Sequence, residues 1–330
     1  MEFLRNILAV PFGWALGVLY DFSGNYLLSL VLITVVLKLA LLPLGIKQQK
    51  GAAKQMRLQA KINKIRAKYA SLGREGQMKI SEETQELYRK EGFNPASAGC
   101  APMLLQLVVM MGLYGAIYSP LSKVLMLKEG VMEALKAAFL ALPDLSEAMA
   151  KDTYKMELNI LNRFNDIVPT LNTDAVSAET VERIQSFVNN FTIFGVNLTE
   201  LPSNFKERDD AAVLILIPVL AGISALLTSV YSYVKQRKTS PETANNPAMG
   251  CMMLFSPAIS VFFAYSLPAG VGFYWIISNI LAFIQTVALS AAIKPAKVIA
   301  DQMIDEAVER RSREASVKKR VAFMNKNRTE

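Results

Sequence analysis

The sequence predicts an all-α integral membrane protein with five transmembrane helices. Three observations carry that prediction: an apolar composition, the length and spacing of the apolar stretches, and the sides on which lysine and arginine collect. Of 330 residues, 52% are hydrophobic and the mean hydropathy is +0.27, which is more apolar than a soluble domain once the charged stretches are set aside. Histidine is absent, so no side chain has an unperturbed pKa near neutrality, and no imidazole binds metal or moves protons. Hydrolytic triads and zinc chemistry lose their usual residues. Cys100 and Cys251 stand far apart, with no CxxC or Cys/His cluster, so neither a metal centre nor a disulfide framework is indicated. Both are expected to be small buried thiols, and no enzyme activity, metal or cofactor is expected.

A spanning helix needs roughly 20 mostly apolar residues. Five stretches approach this length: residues 25–46, 96–118, 211–234, 249–266 and 271–293. Leu267, Pro268, Ala269 and Gly270 leave only a tight turn between the last two, which therefore form a hairpin across the membrane. Residues 1–24 read as an amphipathic helix lying in the membrane interface, because Pro11, Gly13 and Gly17 interrupt the apolar run and Asp21 closes it. A cleaved signal peptide is the rival. Its basic region would hold only Arg5, balanced by Glu2, with no obvious small-residue cleavage site. A lipoprotein signal fails, since the first cysteine is Cys100.

Charge sets the orientation. Residues 47–95 carry 12 basic and 5 acidic side chains, and the tail 294–330 carries 10 and 6. The loop 235–248 adds Lys235, Arg237 and Lys238 against Glu242. Residues 119–210 reverse the balance, with 9 basic and 14 acidic. The positive-inside rule places this segment outside and the other three inside. The amino terminus is then outside and the carboxyl terminus in the cytoplasm.

The first cytoplasmic segment, residues 47–95, reads as a helical hairpin of coiled-coil type. Leu58, Ile62, Ile65, Tyr69 and Leu72 recur every three or four residues among lysines and arginines, drawing one apolar stripe. Gly73 and Gly76 are expected to break this helix. A second is expected to start at Ser81, with Ser81 as N-cap, Glu82 and Glu83 in the first turn, and Ile80, Thr84 and Leu87 on one side. Burying the two narrow stripes against each other closes the hairpin. A solvated connector is the plainer alternative.

Within the spans the informative residue is Lys38. It lies nine residues before Lys47, which at about 1.5 Å per residue puts its Cα near mid-bilayer. An ammonium there costs at least about 2.5–3.5 kcal/mol unless it meets water or a partner. No acidic residue occurs in any of the five stretches. Thr34 lies one turn away on the same face, and Gln106, Ser224, Thr228, Asn279 and Gln285 bring uncharged polar groups from other spans. A lysine snorkelling to the headgroups competes with a water-filled concavity carrying one unpaired positive charge.

Several of these residues fall in runs that resemble the YidC family of membrane protein insertases. They are Thr34 to Lys38, Leu42-Pro43-Leu44 and Lys47-Gln48-Gln49; Asn94-Pro95, Gly99-Cys100, Pro102 and Gln106; then Met252 to Pro257, Phe262-Phe263, Leu267 to Gly270, and Tyr274 to Asn279. The similarity covers most of the chain outside residues 121–190. Five weak motifs in the correct order make a strong one together.

The resemblance implies a bacterial inner (plasma) membrane protein with five helices around a hydrophilic groove, open to cytoplasm and lipid and closed outside. The groove is expected to be lined by Lys38, Thr34, Gln106, Trp275, Asn279 and Gln285. Its basic residue attracts acidic groups of nascent membrane proteins, whose apolar helices then slide into lipid without covalent chemistry. This chain has Lys38 where the family usually has Arg, and Arg presents a planar fork to a carboxylate that an ammonium does not. Residues 119–210 are longer than the short connection common in members without a large periplasmic domain. Their amphipathic stretches at Val131 to Leu142 and Tyr154 to Val168 are expected to be helices on the outer membrane surface.

The tail resembles basic tails that bind ribosomes. Arg310, Arg311, Arg313, Lys318, Lys319 and Arg320, with Arg57, Lys61, Lys64 and Lys68 of the hairpin, are expected to meet either ribosomal RNA phosphates or anionic lipid headgroups. A protein translocation channel is a further expected partner. A secondary transporter would show paired repeats and broken helices around a midplane site, and no repeat is seen. A ribosome-docking membrane scaffold would make the groove dispensable.

Overall fold

Long apolar runs with few helix breakers give long helices, and the computed structural model is organised by them. It describes residues 2–172, 175–193, 195–207, 211–239 and 247–326. The chain divides into two compact units. The first is Met1–Leu42 with Met103–Thr286, and the second is Pro43–Pro102 with Val287–Glu330.

The first unit opens with α1 (Glu2–Ser23). The expected interruption at Pro11, Gly13 and Gly17 does not occur: the helix runs through all three. The two glycines have a packing role: a Cβ on Gly17 would sit 2.4 Å from the carbonyl oxygen of Val124, and one on Gly13 would meet Lys123 at 2.6 Å. Only a glycine face lets the chain approach this closely. Next, α2 (Tyr26–Ala40) begins with Asn25 as N-cap, its side chain accepting from the Leu28 N–H at 3.0 Å. The expected span 25–46 is thus broken, since α2 stops at Leu41 and α3 (Leu42–Tyr69) starts immediately after. Pro43 in the first turn of α3 is compatible with a new helix start but not with continuing the old one.

Past α5 (Pro95–Tyr118), the described residues of 119–207 make a packed layer of short helices, termed the outer layer. Its helices are α6 (Pro120–Lys123), α7 (Glu129–Leu140), α8 (Glu147–Lys151), α9 (Met156–Asn162), α10 (Phe164–Ile167) and α11 (Ala178–Asn189). The expected helix over 154–168 is two short ones, separated at Arg163. An antiparallel ribbon, β1 (Thr192–Ile193) with β2 (Val196–Asn197), is a small departure from the all-α expectation. Phe139, Phe164, Ile167, Ile184 and Phe187 are fully buried in this layer. Phe187 packs edge-on against Tyr20 of α1 and Tyr26 of α2, at ring distances of 5.0 and 5.3 Å.

Then come α12 (Ala211–Thr239), α13 (Pro247–Ser266) and α14 (Ala269–Ala292). Among the described residues, Ala212–Lys238 and Ala269–Ala292 are each long and apolar enough to cross a membrane, and Ile7–Ser23, Leu107–Tyr118 and Met253–Ser266 are shorter apolar helices. The outer layer is tied to the start of α14: the Ala269 N–H donates to the Glu200 carbonyl at 2.7 Å, and the Gly270 N–H to that of Leu198 at 2.9 Å. These donors would otherwise have no partner within the helix.

In the second unit, α3 folds back through a single 3₁₀ turn onto α4 (Gly73–Lys90). The expected start at Ser81 is corrected: Ser81 lies in mid-helix and caps nothing. Gly76 does not break the helix, because its bare Cα faces the Tyr69 carbonyl, where a Cβ would sit at 2.4 Å. Glu75 and Lys79 pair one turn apart. Leu58, Ile62 and Phe93 are buried together, with Leu87 and Tyr88 against them. Lys61 pairs with Glu91 and Lys68 with Glu83. The tail is one helix, α15 (Pro295–Lys326).

Candidate functional site

The polar residues that the sequence places in a groove occupy α2, α5 and α14. On α2, Thr34 is buried, and its hydroxyl donates back to the Leu30 carbonyl. This removes it as a free donor. Lys38, one turn on, is half-buried, and among the described residues no carboxylate pairs with it. Gln106 lies on α5, but its side chain, like those of Cys100 and Cys251, is outside the described residues.

On α14, Trp275 and Asn279 are four residues apart and so share a face. The Trp275 indole N–H donates to Ser260 Oγ of α13 at 3.0 Å, while its ring stacks on Phe263 at 5.3 Å. The Asn279 amide donates to the Ala221 carbonyl and to Ser224 Oγ of α12, both at 3.2 Å. Two polar clasps therefore join α14 to its neighbours in the middle of apolar helices, where each hydrogen bond satisfies groups that lipid cannot. Gln285 is half-buried one and a half turns further on. Among the described residues, no hydrogen bond links Lys38 or Gln285 to the other polar residues. Nothing in the sequence marks Ser260 beyond being a hydroxyl one turn after Ser256 in an apolar helix, and its partner is distant in the chain.

The cations expected to face phosphate fall into two groups. In the hairpin, Lys61 and Lys68 are engaged by Glu91 and Glu83, and Lys68 also lies 4.6 Å from the Tyr69 ring centroid. Lys68 and then Tyr69 hold the Glu83 carboxyl below the usual range, and Glu83 raises the Lys68 ammonium in turn. Arg57 is half-buried and already bonded, whereas Lys64 is exposed. On α15, Arg310, Arg311, Arg313, Lys318 and Lys319 are exposed, and Arg313 pairs with Glu309 at 2.9 Å. The Arg320 side chain is outside the described residues.

Outside these groups, Glu157 of α9 stands out. It accepts from the Ser122 backbone N–H at 2.9 Å and from its hydroxyl at 2.6 Å. Burial nevertheless pushes its carboxyl above the usual range. A lone glutamate in an amphipathic stretch gives no sequence signal for this.

Apolar helices joined by polar clasps, with one unpaired cation among them, define a helical membrane protein with no catalytic constellation among its described residues. The chain belongs to the 60Kd inner membrane protein family, whose model matches residues 18–296. It is 25% identical to the membrane protein insertase MisCA of Bacillus subtilis over 80% of this chain and 70% of the relative. It is 23% identical to the membrane protein insertase YidC 1 of Listeria monocytogenes, over 96% of this chain and 86% of the relative. A 114-residue stretch is 36% identical to the insertase YidC of Oceanobacillus iheyensis, covering 34% of this chain and 45% of that one.

Proposed function

We propose that the chain is a membrane protein insertase: it admits substrate segments to a polar groove open to the cytoplasm and releases their apolar helices into the bilayer. Five spans carry it, formed by α2, α5, α12, α13 and α14, with α1 in the interface, the amino terminus outside and the carboxyl terminus in the cytoplasm. The α3–α4 hairpin projects into the cytoplasm as a short antiparallel coiled coil. Nascent membrane proteins are the substrates, and the ribosome, a translocation channel and anionic lipids are the accompanying partners.

Lys38 carries the reading, as an unpaired ammonium in the last turn of apolar α2, just before the break at Leu41, in a chain of this family. On insertion scales one carboxylate at a helix centre costs about as much as six leucines contribute. A substrate with an acidic outer segment is therefore held back mainly by that charge. A cation in a wet groove offsets part of this cost, while the apolar helix supplies the driving free energy by leaving water.

Lys38→Ala should slow insertion of substrates with acidic extracytoplasmic segments about tenfold in reconstituted vesicles, the value of one partly desolvated charge contact. Lys38→Arg should retain activity. A photo-crosslinker at Asn279 should couple to a stalled nascent chain. Normal insertion by Lys38→Ala of every substrate would sink the attraction model and favour a snorkelling lysine. Absence of crosslinks from Asn279 and neighbouring α14 positions would sink the groove.

A further inference from the structure

A second polar feature lies between α12 and α13, which cross each other closely in the first unit. Thr228, Ser229, Ser232 and Tyr233 of α12, with Ser256 of α13, line a recess of about 230 Å³. Gln236 lines its end nearest the carboxyl terminus of α12, and no acidic side chain among the described residues lines it. Among the described residues, the Thr228 hydroxyl oxygen is buried there without a hydrogen-bond partner, a costly state unless something fills the recess.

We propose that this recess seats the phosphate and glycerol-ester region of one anionic phospholipid. Depth is the first argument. At about 1.5 Å per residue, Gln236 lies roughly 3 Å beyond Val234, the last apolar residue of the stretch, and Thr228 roughly 9 Å before it. The recess thus runs from the polar interface into the upper hydrocarbon. The outer groups, Tyr233 and Gln236, match the depth of a phosphate, and Ser232 and Ser229 match that of the ester carbonyls. Both lipid groups are acceptors, and hydroxyls donate.

Surroundings are the second argument. Leu227, Val230 and Val234 of α12 and Leu254 and Phe255 of α13 are exposed beside the polar patch. They offer an apolar surface for acyl chains alongside the hydroxyls. A peptide segment would bring its own backbone donors and gain nothing from a surface split in this way. Exposed Arg237 and Lys238, which follow Gln236 directly in α12, favour negative headgroup charge.

The test uses the full-length protein in detergent, titrated with phosphatidylglycerol or phosphatidylcholine and read by native mass spectrometry. Wild type should retain one phosphatidylglycerol in preference to phosphatidylcholine. Ser229→Ala with Ser232→Ala should weaken that binding about tenfold, the worth of two net hydrogen bonds. Ser229→Leu with Ser232→Leu, which fills the recess, should abolish it. Unchanged phosphatidylglycerol binding in an alanine variant of normal thermal stability overturns the proposal, as does equal retention of the two lipids. A photo-crosslinker at Ser232 should label lipid in vesicles. Labelling of a stalled nascent chain instead would assign the recess to peptide and overturn it as well.

Discussion

The outer layer of the first unit and the hairpin of the second are both built from short amphipathic helices, yet they are held by different forces. The outer layer buries aromatic and aliphatic side chains from α7, α9, α10 and α11, and its Glu200 and Leu198 carbonyls accept from the first N–H groups of α14. Among the described residues, the hairpin closes over a small cluster of Leu58, Ile62 and Phe93, with Leu87 and Tyr88 against it and ion pairs along its seam. Surface ion pairs are each worth about 0–1 kcal/mol and are screened by salt, whereas a buried aromatic side chain is worth several. The outer layer should therefore behave as a fixed part of the membrane core, and the hairpin as a separable element that opens at modest cost.

The largest effect expected from this contrast is at Phe187, fully buried against Tyr20 and Tyr26. Phe187→Ala should cost about 3–5 kcal/mol, read as a lower unfolding temperature of the detergent-solubilised protein and faster proteolysis of the outer layer. A shift no larger than that of an exposed control would mean the layer is loosely attached. In the hairpin, Ile62→Asp with Ile65→Asp should open α3 from α4, seen as faster amide exchange there, while the exchange of α12 and α14 stays unchanged. Should the membrane helices loosen too, the two elements are not independent. Loss of insertion at normal abundance would make the hairpin a recruiting element rather than a connector.

How much of this was legible in the sequence follows the range of the interactions involved. The starts of α12, α13 and α14 fall within two residues of the expected 211, 249 and 271, because apolar length and the Leu267–Gly270 turn are local signals, whereas α12 continues to Thr239, past the expected end at 234. The start of α4 was misjudged because Gly76 looks like a breaker until the nearby Tyr69 carbonyl is seen. The shared face of Trp275 and Asn279 is likewise local, but their partners Ser260 and Ser224 come from other helices. The docking of Leu198 and Glu200 onto α14, and of Glu157 onto Ser122, joins distant segments through backbone groups. Backbone donors carry no residue identity, so no pattern of side chains announces them.

A smaller effect is expected from the tail, the other charged element of the second unit. Bilayer charge and ribosomal RNA both attract Lys and Arg, but only ribosome binding survives in detergent without anionic lipid. The solubilised protein should bind empty ribosomes weakly, with affinity falling steeply as salt rises. Truncation after Pro295 should weaken binding and make the salt slope shallower, since fewer counterions are released. Residual binding is assigned chiefly to exposed Lys64, because Lys61 and Lys68 already face carboxylates. An unchanged slope and affinity would leave lipid as the partner of the tail.

The smallest effect separates the two regions by pH. Glu83 of the hairpin is held below the usual carboxylate range by Lys68 and Tyr69, so the folded state favours its ionised form. That contribution is present above the unfolded value of about 4.3 and is lost as pH falls through the depressed folded value. Glu157 of the outer layer is raised by burial, so its ionised form is penalised in the folded state. The penalty is complete above the folded value and disappears as pH falls toward the unfolded one. Acidification below about 4.3 should thus loosen the hairpin, whereas the outer layer tightens slightly at higher pH, as pH falls from the raised value of Glu157 toward the unfolded one. Amide exchange of α4 and α9 across a pH series, corrected for intrinsic rates, should show slopes of opposite sign. Glu157→Gln, which keeps an acceptor for the Ser122 N–H, should flatten the slope in α9 alone. If that slope persists in the variant, another group sets the acid response of the outer layer.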